Sequence, residues 1–338
     1  MLTLQDTPGG KFLCWIYKNN KRYKRVYWHP RRELKYRNAV PDLNIFNTEG
    51  LRDQFKVTRQ QAGVIFEHIK NTTEPDDATR LQNKFFKIKK FVAEALYSEM
   101  DLSDEPDLTF VTDFPEKKKE WAGSEFVAGA SSSGKTWYIK EKILRNLKGP
   151  PSHRRQFLFI SNQFDLDDTL AELRKPKYST WFSGIDVSDE SIRSNMQENN
   201  LTAEQYFTQN IRNPIYDLPP SSVVLFDDLE DSLIKGPSFQ LINRMLRTFR
   251  HRKVGVMYII HRIKAGHLSS QGNQSVKYIT TFPKSQKGKV LQLFLDQGMT
   301  KKEAARNLED MKLAKGRHLS LRMWAPTCMI SEEYLRLF

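Results

Sequence analysis

Gly129-Ala-Ser-Ser-Ser-Gly-Lys-Thr136 decides the fold of this chain. Gly129 and Gly134 bracket four residues, and Lys135 and Thr136 follow at once, which is the pattern GxxxxGK[ST]. The two glycines let the backbone curl tightly enough for successive N–H groups to converge on one anion. A helix starting where the loop ends adds its N-terminal partial positive charge. Gly129, Ala130, Ser131, Ser132, Ser133 and Gly134 then cradle phosphates, Lys135 reaches the terminal ones, and the Thr136 hydroxyl is a Mg²⁺ ligand. The chemistry needs a strand before the loop and a helix after it. The short strand Glu125–Ala128 and the helical pattern Thr136–Leu147 supply both. A Ser/Gly surface turn would need neither.

Outward from the loop, strand patterns alternate with helical ones. Strands read at Gln156–Ile160, Val223–Phe226, Val254–Ile260 and Val276–Phe282, a helix near 237–249, and a last strand through His318–Trp324. Thr300 and Glu303 form a capping box that opens a helix to about Leu313. The expected class is α/β, a mainly parallel central sheet with helices on both faces.

Val223-Val-Leu-Phe-Asp-Asp228 reads as a buried strand ending in two carboxylates, at the sheet edge where ligands bind in open α/β folds. Asp227 is the expected Mg²⁺ partner, through water. Asp228 is the candidate base that orients the attacking water, with Glu230 as runner-up. The plainer reading is a strand running into an acidic turn. Residues 244–264 carry Arg244, Arg247, Arg250 and Arg252 into the next strand, which ends in His261-Arg262. His261 occupies the tip from which a side chain contacts phosphate or water; an ordinary strand-end histidine is the alternative. Arg250 is the first candidate for an arginine offered to a neighbouring subunit's phosphates, ahead of Arg252 and Arg262. Arg244 and Arg247 fit a solvated face or a DNA-phosphate contact better.

The first part of the chain differs in character. Strands at 12–17 and 23–28 flank Lys18-Asn19-Asn20-Lys21, Thr58 can cap a helix, and 80–99 has helical spacing. Charged, proline-bearing sequence over 101–120 marks a boundary, giving a smaller α+β domain over 1–115 and a nucleotide domain over 116–338. Lys and Arg alternate with Phe12, Trp15, Tyr17, Tyr23, Tyr27, Trp28 and Tyr36. That alternation fits a ribbon lying on nucleic acid, a sheet with one buried aromatic face and one basic solvated face, or a capsid-docking surface.

The net charge is +14 and unevenly placed. Residues 1–40 hold ten Lys/Arg and two acids, 241–270 seven and none, and 283–322 ten and four, so the rest is net negative. Basic blocks of this kind point to a polyanionic partner. No run is long and apolar enough for a membrane span, and the start lacks a secretory pattern. Cys14 and Cys328 are the only cysteines, which fits a reducing, intracellular compartment and argues against a disulfide framework or a structural zinc site.

Taken in order, GASSSGKT, VVLFDD and FRHRKVGVMYIIHR resemble the FtsK–HerA superfamily of P-loop ATPases. The likeness is strongest to genome-packaging ATPases of large eukaryotic DNA viruses, virophages and related double-jelly-roll viruses. It covers about residues 121–338 and includes the Arg250-His251 pair; those proteins place glutamine where this chain has His261. The resemblance implies a RecA/FtsK-like P-loop NTPase fold, ATP and Mg²⁺, and a motor on double-stranded DNA. It further implies a hexameric or pentameric ring that fills a preformed capsid, with a capsid or portal-vertex protein as partner, in host cytoplasm or a viral factory or associated with the virion. A viral helicase or other nucleic-acid-remodelling ATPase is the alternative. A small-molecule kinase fits the charge poorly, and a non-enzymatic DNA-binding protein fits the intact Lys135, Thr136 and Asp227 poorly.

Overall fold

The computed structural model describes residues 2–4, 9–29, 99–102, 104–229, 232–261, 275–296, 299–310 and 318–337, with scattered positions between 56 and 64. The chain divides into two compact units, Met1–Thr112 with Cys328–Phe338, and Asp113–Thr327.

In the first unit, β1 (Leu2–Thr3), β2 (Lys11–Lys18), β3 (Lys21–Trp28) and β5 (Leu108–Val111) form an antiparallel sheet in the order β1-β3-β2-β5, while β4 (Glu99–Asp101) pairs elsewhere. Asn19 and Asn20 turn the β2–β3 hairpin with φ of 50° and 61°, the doubly left-handed turn that matches strand twist. Trp15, Tyr17 and Tyr27 are buried, and the Arg22 and Arg25 guanidiniums each lie 4.9 Å from the Trp15 ring. Trp15 pairs in register with Arg25 and Tyr17 with Arg22, so aromatic and basic side chains share one face of the hairpin rather than being parted onto a buried and a solvated one; Tyr23 is 51% exposed. Tyr36 and residues 80–98 of the helix expected over 80–99 lie outside the described residues, and Glu99 belongs to β4. At Thr58 the cap is present: its N–H donates to Gln61 Oε1 at 3.0 Å, and Gln61 N–H donates to Thr58 Oγ1 at 3.2 Å.

The second unit holds β6 (Ser124–Ala128), α1 (Lys135–Leu147), β7 (Phe157–Ser161), β8 (Phe182–Asp186), α2 (Asp189–Glu198), β9 (Val223–Asp227), α3 (Lys235–Arg252), β10 (Gly255–Ile260), β11 (Tyr278–Thr281), α4 (Pro283–Asp296), α5 (Lys301–Asp310) and β12 (Leu319–Arg322). Its strands run β12-β11-β6-β10-β9-β7-β8, all parallel except β12. One strand, β10, thus separates the loop-bearing β6 from the acidic β9. Val127, Phe159, Leu225 and Met257 cluster with Tyr138, Ile139 and Ile143 of α1. Their neighbours Phe126, Ile160, Phe226 and Tyr258 are equally buried, and α3 packs on β10. A strand buried on both sides needs the near-continuous apolar run that the sequence shows. The Thr300 capping box is made, with Thr300 N–H donating to Glu303 Oε2 at 2.8 Å.

Two features depart from the sequence reading. β8 was not foreseen. The chain also returns to the first unit as β13 (Cys328–Ile330) and β14 (Tyr334–Leu337), the latter paired with β4. Residues 328–338 therefore leave the block 116–338, because Cys328, Ile330 and Leu335 complete the apolar cluster around Leu13, Cys14, Val26 and Phe110.

Candidate functional site

β6 ends where the loop begins, and the Gly129 N–H donates to Ile260 O at the end of β10 (3.1 Å). A Cβ at residue 129 would stand 2.4 Å from Ser133 Oγ and 3.0 Å from Phe282, so only bare backbone fits. Gly134 enters α1 at φ +98°, a conformation that favours glycine. Lys135 is buried, and its Nζ donates to Gly129 O at 2.8 Å and Ala130 O at 3.0 Å. Burial lowers its pKa, while Asp227 and Asp228 pull the other way. The Ser133 hydroxyl is buried with no partner, a donor left over inside the cradle. Trp137, 52% exposed, follows Thr136 directly.

β9 brings the carboxylates to the same edge. Asp227 pairs in register with Ile259 of β10, and its pKa is raised to about 7 by burial first and by Asp228 beside it, with Asp167 adding to the rise. Asp228 leaves the strand at φ +51°, a left-handed turn that costs a non-glycine residue energy and is common at functional sites. Its Oδ1 lies 3.3 Å from His261 Nε2. The loop, Asp227, Asp228 and His261 therefore converge at the C-terminal ends of β6, β10 and β9. Glu230 and Arg262 lie outside the described residues. Asp167 is a site residue that sequence reading missed. It sits in the segment after β7, with its Oδ1 accepting the Thr169 N–H at 2.7 Å; its place beyond a strand's C-terminal end was the available signal.

Arg250 is exposed on α3, with its Nε 3.4 Å from His251 Nε2. It lies in the turn of α3 that feeds the start of β10, the sheet edge opposite the loop, so it serves no phosphate in its own chain. Arg252 is tied down instead. It donates to Tyr216 O, and its guanidinium lies 5.1 Å from the Tyr216 ring and 5.2 Å from the Phe249 ring.

Behind the loop, α1 is pinned to the sheet by a buried polar network. Lys142 Nζ meets Glu125 Oε2 at 2.6 Å, and Tyr138 and Thr280 hydroxyls donate to Glu125 Oε1 at 2.9 and 2.6 Å. Burial alone would push the Lys142 ammonium pKa down; Glu125 and the Tyr138 hydroxyl more than offset this, and the net shift is upward.

No protein-family model matches the chain, and no curated protein sequence matches it either. Solved structures similar to it include the genome packaging NTPase B204 of Sulfolobus turreted icosahedral virus 2. That likeness has 14% identity, covers 62% of this chain and 96% of B204, and has a TM-score of 0.38. Others are the cytoplasmic domain of the type VII secretion ATPase EccC of Thermomonospora curvata (12% identity, 70% of this chain, 28% of that one, TM-score 0.40) and the pCW3 conjugation coupling protein TcpA (12%, 64%, 61%, 0.35).

The residues fit a nucleoside triphosphate with its magnesium. The cradle accepts only bare backbone at residue 129, an ammonium is held within it, and a hydroxyl and a carboxylate offer the oxygen donors that magnesium takes. Among the described residues no three His, Cys, Asp or Glu side chains are grouped to hold a metal ion.

Proposed function

We propose that this chain is an ATPase that couples hydrolysis to movement along double-stranded DNA, packaging a viral genome as a homo-oligomeric ring. The observation that carries the reading is the meeting of the phosphate loop with Asp227, Asp228 and His261 at one sheet edge.

In this reading, Gly129–Thr136 binds the phosphates and Lys135 exchanges its two carbonyl partners for phosphate oxygens. Thr136 and Asp227 would hold Mg²⁺, which neutralises charge that develops on the transferring phosphoryl group. Asp228 orients the attacking water and accepts its proton. His261, with its Nε2 3.3 Å from Asp228 Oδ1, fixes that carboxylate's direction. In a ring, Arg250 reaches the phosphates of a neighbouring copy. The +14 charge and the order of motifs support DNA as the track.

ATP hydrolysis measured with and without duplex DNA tests the proposal. Wild-type turnover should rise with duplex DNA, and Lys135→Ala should lose hydrolysis under both conditions. Near-normal turnover by Lys135→Ala sinks the loop assignment. Turnover indifferent to DNA sinks the coupling and returns the kinase reading. Strand displacement on forked DNA without capsids would move the protein to the helicases.

A further inference from the structure

Lys117, Lys118 and Lys119 belong to the charged stretch that reads in sequence as a mere boundary. In the structure they wall one side of a groove of about 570 Å³, and His153, Ser221 and Lys253 wall the other. None of the described residues lining it is acidic.

The groove is built rather than incidental. Arg155, a guanidinium with no exposure, braces it from within: its Nη1 donates to Ser221 O at 3.0 Å and its Nη2 to Pro115 O at 3.0 Å and Lys117 O at 3.1 Å. One buried cation thus ties the backbones of both walls together. Lys118 Nζ is steadied 4.9 Å from the Trp181 ring. On the far wall, Ser221 and Lys253 hold φ of +83° and +56°, and the Ser221 N–H donates to Lys253 O at 2.9 Å. Lys253 caps α3 in the left-handed conformation, where glycine is the unstrained residue. The chain bears a steric cost to place an ammonium there. His153 Nδ1 is buried with no partner, a polar atom without a use in the fold.

His153 precedes β7, Ser221 precedes β9 and Lys253 precedes β10, so the groove lies at the N-terminal ends of these parallel strands. The phosphate loop lies at their C-terminal ends, about 17 Å away along a five-residue strand. Lysines are point charges that grip phosphates without reading bases. Pro220 is the sole apolar side chain in the lining, so the groove lacks the aromatic or aliphatic anchors of a protein interface.

We propose that this groove binds the phosphodiester backbone of duplex DNA, at the sheet edge opposite the nucleotide. The inference rests on the DNA-coupled reading and adds the place of contact. The test compares wild type with the triple variant Lys117→Ala, Lys119→Ala, Lys253→Gly in the full chain. Binding of a short duplex of arbitrary sequence is measured over a range of salt. The slope of log affinity against log salt should fall by about one per lysine removed, about three in all. ATP hydrolysis without DNA should be unchanged, and half-maximal stimulation should need more DNA. Lys253→Gly alone should raise the melting temperature while weakening DNA binding, a pairing that a structural lysine would not produce. Wild-type binding with an unchanged slope in the variant overturns the groove. Absence of salt-dependent duplex binding by the wild type overturns the DNA-coupled reading, and the groove with it.

Discussion

His318 makes the second unit sensitive to acid, and the effect can be sized. Its ring lies 4.4 Å from that of Tyr138 of α1 and 6.4 Å from that of Phe282, tilted by 50° and 54°. Burial lowers its pKa to about 3, with the positive charges of Arg145 and Lys142 adding to the fall. An unfolded histidine titrates near ~6.5. The folded value is the lower one, so the stabilisation is fully present above the unfolded pKa and drains away as pH falls toward the folded one. At about pH 4.5 the unfolded chain takes up a proton that the folded chain refuses, over some ~2 units at ~1.36 kcal/mol each. The expected loss between about pH 7.5 and pH 4.5 is therefore about 2.5 kcal/mol from this one ring. Urea unfolding at the two pH values, followed by tryptophan fluorescence on wild type and His318→Phe, isolates it. The Trp121–Trp324 pair, 5.2 Å apart in the same unit, supplies a reporter. His318→Phe should be less acid-sensitive than wild type by about that amount. Equal pH dependence in the two proteins refutes the argument.

Three further substitutions test the site and its supports. Lys142→Met leaves Glu125 buried without its cation and should cost about 3–5 kcal/mol by chemical denaturation; a change under about 1 kcal/mol would show that the hydroxyls suffice. A Cβ at Gly184 would stand 2.0 Å from the Phe164 ring, so Gly184→Ala should displace that ring and cost about 3 kcal/mol, read as a fall in melting temperature. Arg250→Ala should lose hydrolysis alone and regain it when mixed with subunits that keep Arg250 but carry Lys135→Ala; no recovery removes Arg250 from a role in trans.

Much of the second unit is legible because its signals are local. The loop, the apolar runs of β6, β9 and β10 and the Thr300 box each announce themselves within eight residues or fewer. What escapes is non-local. β8, Phe-Ser-Gly-Ile-Asp, is an edge strand with an exposed serine and a glycine packed under Phe164, so it lacks the apolar run of its buried neighbours. The Glu125 network joins residues 13, 17 and 155 positions apart, and no window along the chain holds them together. Asp167 escaped because its segment has no regular pattern. Arg250 stands near His261 in sequence, with the length of β10 between them.

The return of residues 328–338 to the first unit sets an order of manufacture. The nucleotide unit is one unbroken stretch, Asp113–Thr327, and can close its sheet as soon as that stretch leaves the ribosome. The first unit begins earlier but must wait for Cys328, Ile330 and Leu335 before its apolar cluster is complete. During that interval its strands stand open-edged, the state in which nascent sheets find wrong partners. A premature stop after residue 327 would therefore strip the beginning of the protein of three members of its apolar cluster.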